Sequence, residues 1–225
     1  MSFSVVTNEL LKGFGQNCLL FALTLVMAIP LGLLVSMGSM SRITPIRIIV
    51  RALVWIIRGT PLMLQLFVVF YVPSFVVNML NAQYNLNIVL NLDRFVAAVI
   101  AFVINYAAYF SEIFRGGIES IPKGQYEAGQ VLGMSKSQIF FKIVLMQVIK
   151  RITAPMSNEI ITLVKDTSLA RIILLPEILY SSETILSQKA LIWPLFYTGA
   201  FFLLFCGVLT LLFRFIEKKL DYYKI

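Results

Sequence analysis

Long charge-free stretches alternate with short basic ones along the chain. No Asp, Glu, Lys or Arg falls between Lys12 and Arg42. Such a stretch holds one α-helix of ~25 residues, longer than the ~20 needed to cross the hydrocarbon core of a bilayer. The pattern places a first span at residues 14–38. It is expected to be a span rather than a cleaved signal: its apolar core is long, its leading segment is not basic, and no small-x-small site follows. A second charge-free window, residues 59–92, is strongly apolar over 62–80 and then carries five Asn or Gln from Asn81 to Asn91. This predicts a second span at 62–80 followed by a polar loop. Apolar runs at 95–114 and 190–213 predict the third and last spans. Residues 152–175 read as the fourth, although they hold Glu159, Lys165, Asp166 and Arg171. The expected fold class is all-α integral membrane, a single domain with five transmembrane helices.

Two segments between spans carry their own patterns. In residues 42–58, Arg47, Arg51 and Arg58 share a helical face and Ile, Val, Leu and Trp55 fill the rest. This predicts a helix lying in the membrane interface or packed under the bundle, with Arg47 and Arg51 serving as anchors. Residues 116–150 are too polar to span. Gln125 to Gly133 reads as a short helix ending at a glycine, and Ser135-Lys-Ser-Gln138 fits a capping box. A second helix follows with Phe140, Ile143, Val144 and Val148 along one side. The small residues Ala128, Gly129 and Gly133 let another backbone approach the corner closely. Two outcomes stand open from pattern alone: the hairpin packs on its own spans, or it docks a partner.

Composition agrees with lipid as the solvent. Apolar residues make up 59% of the 225 residues and charged residues 13%, and mean hydropathy is +0.87. A soluble domain is about 25% charged. Net charge is +8, from 19 Lys and Arg against 11 Asp and Glu, and fourteen of those bases fall in segments 42–58, 115–151 and the tail after residue 213. The other side holds only Lys12, Arg94 and Lys189. Basic loops face the cytoplasm, so the N-terminus is expected outside and the C-terminus inside. That disposition accounts for the charge without nucleic acid. The chain has no His, which excludes His-based triads, metal sites and proton shuttles. Cys18 and Cys206 lie in apolar runs and are expected to behave as small hydrophobes. No metal site is expected.

The segment Glu127-Ala128-Gly129-Gln-Val-Leu132-Gly133, with Phe140 or Phe141, Ile143 and Leu145 beyond it, resembles the EAA loop of ABC-importer permeases. Further motifs resemble the polar amino acid uptake branch of that family (the His/Glu/Gln/Arg/opine branch): Arg58-Gly59-Thr60-Pro61-Leu62 with Gln65 and Phe67, Ala108 to Ile118 around Ser111-Glu112-Ile113, Asn158-Glu159, and Lys165-Asp166-Thr167-Ser168-Leu169. The resemblance covers residues 58–169 by motif and the whole chain by length and span count. It implies a type I ABC importer permease fold in a bacterial cytoplasmic (inner) membrane. It also implies a second, identical or different, permease chain, an extracytoplasmic substrate-binding protein and a cytoplasmic ABC ATPase dimer. The ATPase, which carries ATP and Mg, would seat on Glu127, Ala128, Gly129, Leu132 and Gly133. No cofactor would be bound by this chain, and transport of polar L-amino acids would proceed by alternating access. Two positions depart from the pattern: Met146 stands where the family usually has proline, and Arg171 where it is often small and apolar.

Ionisable groups inside a span are by default functional candidates. Glu159 and Asp166 are seven residues apart, on one helical face with Thr162 between them. One reading is ion pairing with bases of this or other spans. The other is a substrate cavity favouring a cationic group, with Arg58 facing a carboxylate through its bidentate fork and Gln65 and Thr167 adding hydrogen bonds. In the family resembled, the Asn158-Glu159 and Asp166-Thr167-Ser168 positions look like cavity-lining residues of members that take basic amino acids, so the resemblance extends the expectation to arginine, lysine or histidine. There is no G-x-x-x-x-G-K-[ST] loop, nucleophile elbow or zinc motif, so the chain is expected to be non-catalytic. The competing classes are a secondary amino acid transporter driven by an ion gradient, which usually shows inverted repeats, and a purely structural subunit.

Overall fold

The computed structural model describes residues 3–221; Lys224, counted above among the basic tail, lies outside them. Nine α-helices and no strand occur among the described residues. α1 is Phe3–Ser39, α2 Thr44–Gly59, α3 Leu62–Tyr84, α4 Arg94–Glu119, α5 Lys123–Val131 and α6 Lys136–Ile139. A π-helical turn, Phe140–Val144, runs into α7, Leu145–Asp166, which continues as a 3₁₀ segment, Thr167–Ile173. α8 is Ile178–Lys189 and α9 is Trp193–Leu220.

α4 is the central helix, with α1, α2, α3 and α7 packed around it. Its first turn is capped by Asp93, whose Oδ1 accepts from the backbone N–H of Phe95 at 2.9 Å and of Val96 at 3.1 Å. Its alanines Ala97, Ala98, Ala101, Ala107 and Ala108 are all buried. α1 answers with Leu20, Thr24, Ala28, Gly32 and Ser36 at four-residue spacing, all buried. Lipid tails are as apolar as leucine, so helices in a bilayer associate through close packing of such small residues. Gly32 is required here: a Cβ would lie 2.9 Å from Phe110 Cβ and 3.0 Å from the Ala107 carbonyl.

Four helices, α1, α3, α4 and α9, are long and apolar enough to cross a membrane. α7 has the length, 22 residues or ~33 Å, but is too charged to qualify by composition. The expected fourth span at 152–175 is corrected in its bounds: the α-helix covers Leu145–Asp166 and then tightens. The cause is local. The hydroxyls of Thr167 and Ser168 donate to the carbonyls of Val164 and Lys165 at 2.7 and 2.8 Å, offering the backbone an alternative to the α-helical ladder, and Leu174 ends the segment at φ 60°. Several ends also run past the charge-free windows. α1 begins at Phe3 and includes Glu9 and Lys12, α3 extends to Tyr84 within the expected loop, and α9 reaches Leu220.

The hairpin of 116–150 has both of its expected ends. α5 closes in a Schellman arrangement: Met134 N–H donates to Gly129 O at 3.0 Å and Gly133 N–H to Gln130 O at 2.9 Å, with Gly133 at φ +73°. Ser135 and Gln138 form the reciprocal capping box. Met146 lies in the first turn of α7, which runs through it unbroken because no proline removes a backbone donor there. α2 buries only Val54 and exposes Ile48, Ile49, Leu53 and Trp55.

Candidate functional site

A cavity of about 510 Å³ opens where the α2–α3 junction, α4 and α7 meet. Pro61 starts the junction: it cannot continue α2 and serves as the extended N-cap of α3. The turn delivers Arg58, Gly59 and Thr60 to the cavity wall. α4 contributes Asn105, Tyr106 and Tyr109, and α7 contributes Glu159, Thr162 and Asp166, spaced three and four apart on one face. The cavity thus holds one guanidinium and two carboxyl groups.

Each charge is held differently. Asp166 accepts a hydrogen bond from the Tyr106 hydroxyl at 2.7 Å. Glu159 makes no hydrogen bond among the described residues and is half-buried, facing the open volume. Arg58 lies over the Tyr109 ring, 5.1 Å from its centroid, and its Nη1 is 3.4 Å from Glu112 Oε2. Neither Glu159 nor Asp166 forms an ion pair among the described residues. The nearby bases go elsewhere: Arg171 pairs with Glu183, and Lys165 is exposed. Ion pairing with bases of this or other spans, one of the two readings above, is thus not seen for these acids among the described residues.

Arg58, Thr162, Glu159 and Asp166 come together as expected from sequence. Gln65 and Thr167 do not join them. Gln65 folds the junction from behind, donating to Ile57 O at 2.7 Å and Thr60 Oγ1 at 2.9 Å and accepting from Asn105 at 3.1 Å. It lines a separate apolar cavity of about 270 Å³. Thr167 turns into the core, buried and bonded to Asn17 at 2.9 Å. Asn105, Tyr106 and Tyr109 were missed. Their signal was present: polar groups at i, i+1 and i+4 within residues 95–110, which are otherwise apolar.

The hairpin residues divide as well. Glu127, Ala128 and Leu132 are exposed, and Leu132 and Val131 present 76% and 88% of their surface. Gly129 faces inward, where a Cβ would fall 2.6 Å from Ile139 Cγ1, and Gly133 supplies the turn. Two residues shape the corner and three face outward.

The family described as binding-protein-dependent transport system inner membrane component matches residues 13–222. Among curated proteins, the chain is 38% identical to the L-cystine transport system permease protein TcyB of Bacillus subtilis over 204 residues, 89% of this chain and 82% of that protein. It is 30% identical to the arginine transport system permease protein ArtQ of the same organism, over 94% of this chain and 92% of that protein. Among solved structures, an amino acid ABC transporter crystallised with histidines matches at a TM-score of 0.80 and 27% identity, covering 95% of this chain and 94% of that one. The MetNI methionine ABC transporter matches in fold at a TM-score of 0.66 and 15% identity.

Proposed function

The chain belongs to the family of binding-protein-dependent transport system inner membrane components, and from that membership we propose that it is the permease subunit of an ATP-driven importer of polar L-amino acids with a cationic side chain. The carrying observation is the cavity, where one guanidinium and two carboxylates converge. An amino acid such as arginine or lysine has the complementary set: one carboxylate and two cationic groups. Arg58 takes the carboxylate in a forked pair. Glu159 and Asp166 take the ammonium and the side-chain cation, and Thr162 lies between them.

Five helices cross the bilayer in this reading, α1, α3, α4, α7 and α9, with the N-terminus outside and the C-terminus cytoplasmic. The α5–α6 hairpin seats in a groove of a partner ATPase, with Glu127 set toward a basic group and Ala128, Val131 and Leu132 supplying apolar contact. A second permease chain completes the pathway in the bacterial inner membrane, and an external binding protein delivers substrate. ATP and Mg are held by the partner; this chain's residues bind and orient substrate and relay the ATPase's motion.

The test is a reconstituted complex with ATPase stimulation and uptake measured for arginine, lysine, histidine, glutamine and cystine. Arginine or lysine should stimulate most. Cystine, with two carboxylates and two ammonium groups, is the discriminating competitor, since it is the substrate named for the 38% identical relative. Glu159→Gln or Asp166→Asn should weaken arginine or lysine uptake by about 5–20-fold, the low end for a charged hydrogen bond because the cavity admits water. Uptake that survives removal of ATP but collapses with an ionophore would assign the chain to gradient-driven transport. Unchanged uptake in both variants would remove these acids from the site.

A further inference from the structure

Arg58 is also one end of a ladder of alternating charges that leaves the cavity. Glu112 lies on the cavity face of α4, seven residues beyond Asn105 and three beyond Tyr109, yet does not line the cavity. Its carboxylate is gripped by Arg115 as a fork, Nε to Oε1 at 3.1 Å and Nη2 to Oε2 at 2.5 Å. Arg58 reaches the same Oε2 at 3.4 Å. Arg115 then meets Glu119 at 3.3 Å, and Glu119 meets Arg51 at 3.9 Å. The ladder ties α2 to α4 at two levels, and of its five members only Arg58 lines the cavity.

The two contacts to Glu112 are unequal. A forked Arg–carboxylate pair is the strong arrangement, whereas Arg58 makes one long contact with its side chain 41% exposed. If Arg58 leaves Glu112, the carboxylate remains paired with Arg115, and Arg58 keeps the Tyr109 ring beneath it. The exchange therefore strands no charge. We propose that Glu112 is a positioning residue that sets the selectivity of the cavity for a carboxylate, holding Arg58 partly neutralised until the carboxylate of an amino acid displaces it. With Arg58 so occupied, the empty cavity is dominated by Glu159 and Asp166 and draws in a cation first. The inference rests on the reading of this cavity as an amino acid site.

The probes are L-arginine and agmatine, which differ in the carboxylate. Dissociation constants are measured on the purified permease–ATPase complex in nanodiscs, without binding protein. The wild-type complex should prefer arginine. Glu112→Gln keeps the size of the side chain and removes its charge, so the preference for arginine over agmatine should rise about 2–5-fold, the scale of a half-exposed ion pair. Glu119→Gln, one rung further out, should leave the preference unchanged. If Glu112→Gln does not assemble, Glu112→Asp, which draws the carboxylate back from Arg58, should raise it less. A merely structural role would move both ligands equally. An unchanged or lowered preference in the Glu112 variants, while Arg58→Gln abolishes it, overturns the inference and leaves the cavity reading standing. A wild-type complex that does not bind arginine, or no effect of Arg58→Gln, overturns the cavity reading itself and this inference with it.

Discussion

Glu177 is fully buried and every part of its carboxylate is engaged. Oε1 accepts from the Tyr180 N–H at 2.7 Å and Oε2 from the Leu179 N–H at 2.9 Å, which caps α8. Oε2 also accepts from Asn17 at 3.1 Å. Asn17 spends its second N–H on Thr167 and accepts from the Ile178 N–H at 3.1 Å. Three elements meet at these side chains: α1, α8, and the 3₁₀ segment that begins beside the cavity residue Asp166. Backbones approach closely one turn away, where a Cβ on Gly13 would stand 2.8 Å from Ile178 Cα. Glu177→Ala removes the cap, about 1 kcal/mol, and leaves the Asn17 amide short of a buried partner, about 1–3 kcal/mol. The variant should lose about 2–4 kcal/mol of stability. Thermal unfolding in detergent, followed by a thiol-reactive dye on Cys18 and Cys206, checks this; an unchanged midpoint would refute it. Little of this node was legible in sequence. Asn17 is an amide in an apolar run that the sequence reading passed over, Glu177 follows a proline in a stretch that reads as an ordinary loop, and no spacing links residues 160 apart.

Among the elements, those with local rules were the most legible. The hairpin's glycine stop and capping box follow from Gly133, Ser135 and Gln138 alone, because a positive φ and a reciprocal cap are decided within a few residues. α2 was readable for the same reason: its arginines and apolar residues segregate at helical spacing. Elements whose form depends on neighbours were not readable. The π turn at Phe140–Val144 has no sequence signal that we identify, and the fourth span's change to 3₁₀ geometry at Thr167 looked like continuing helix. The α5–α6 hairpin, proposed above as the docking element, also carries a prediction. Glu127 is exposed beside Ala128 and one helical turn from Val131, on a helix with no acid in its first turn. Its charge does nothing for the helix that a solvent-facing lysine would not, so Glu127→Lys should leave folding intact and reverse the sign offered to a partner. Membrane insertion should be unchanged, ATPase co-purification should fall, and transport should drop more than tenfold. Co-purification and transport at wild-type levels would remove α5 as the docking element.

For the whole molecule, the question is how many times the chain crosses the bilayer and in which direction. Length and composition pick out four helices apolar enough to cross and pass over α7, whose acids line the cavity. The proposed fifth crossing is α7, and its contacts at both ends fit that reading. Lys150, near the start of α7, is 3.5 Å from Asp221 at the end of α9, so the two helices share one end and run in opposite directions. At the other end, the 3₁₀ segment after α7 meets Arg94 at the start of α4, which bonds Leu174 O at 3.3 Å, and Phe3 stacks on Trp193 at 5.1 Å. α7 with its 3₁₀ extension therefore reaches from the end of α9 to the start of α4, as the proposed fifth crossing requires. The end that gathers Arg51, Arg58, Arg115, Lys150 and Arg151 is the basic one, and the proposed orientation sets it in the cytoplasm, where basic ends are retained. With Cys18 and Cys206 replaced by serine, single cysteines at Asn87 and Leu174 should react with an impermeant maleimide in spheroplasts. Cysteines at Leu132 and Lys219 should react only after permeabilisation. Labelling of Leu132 and Leu174 from the same side would mean that α7 does not cross, and full inversion of the pattern would place the hairpin where no ATPase can reach it.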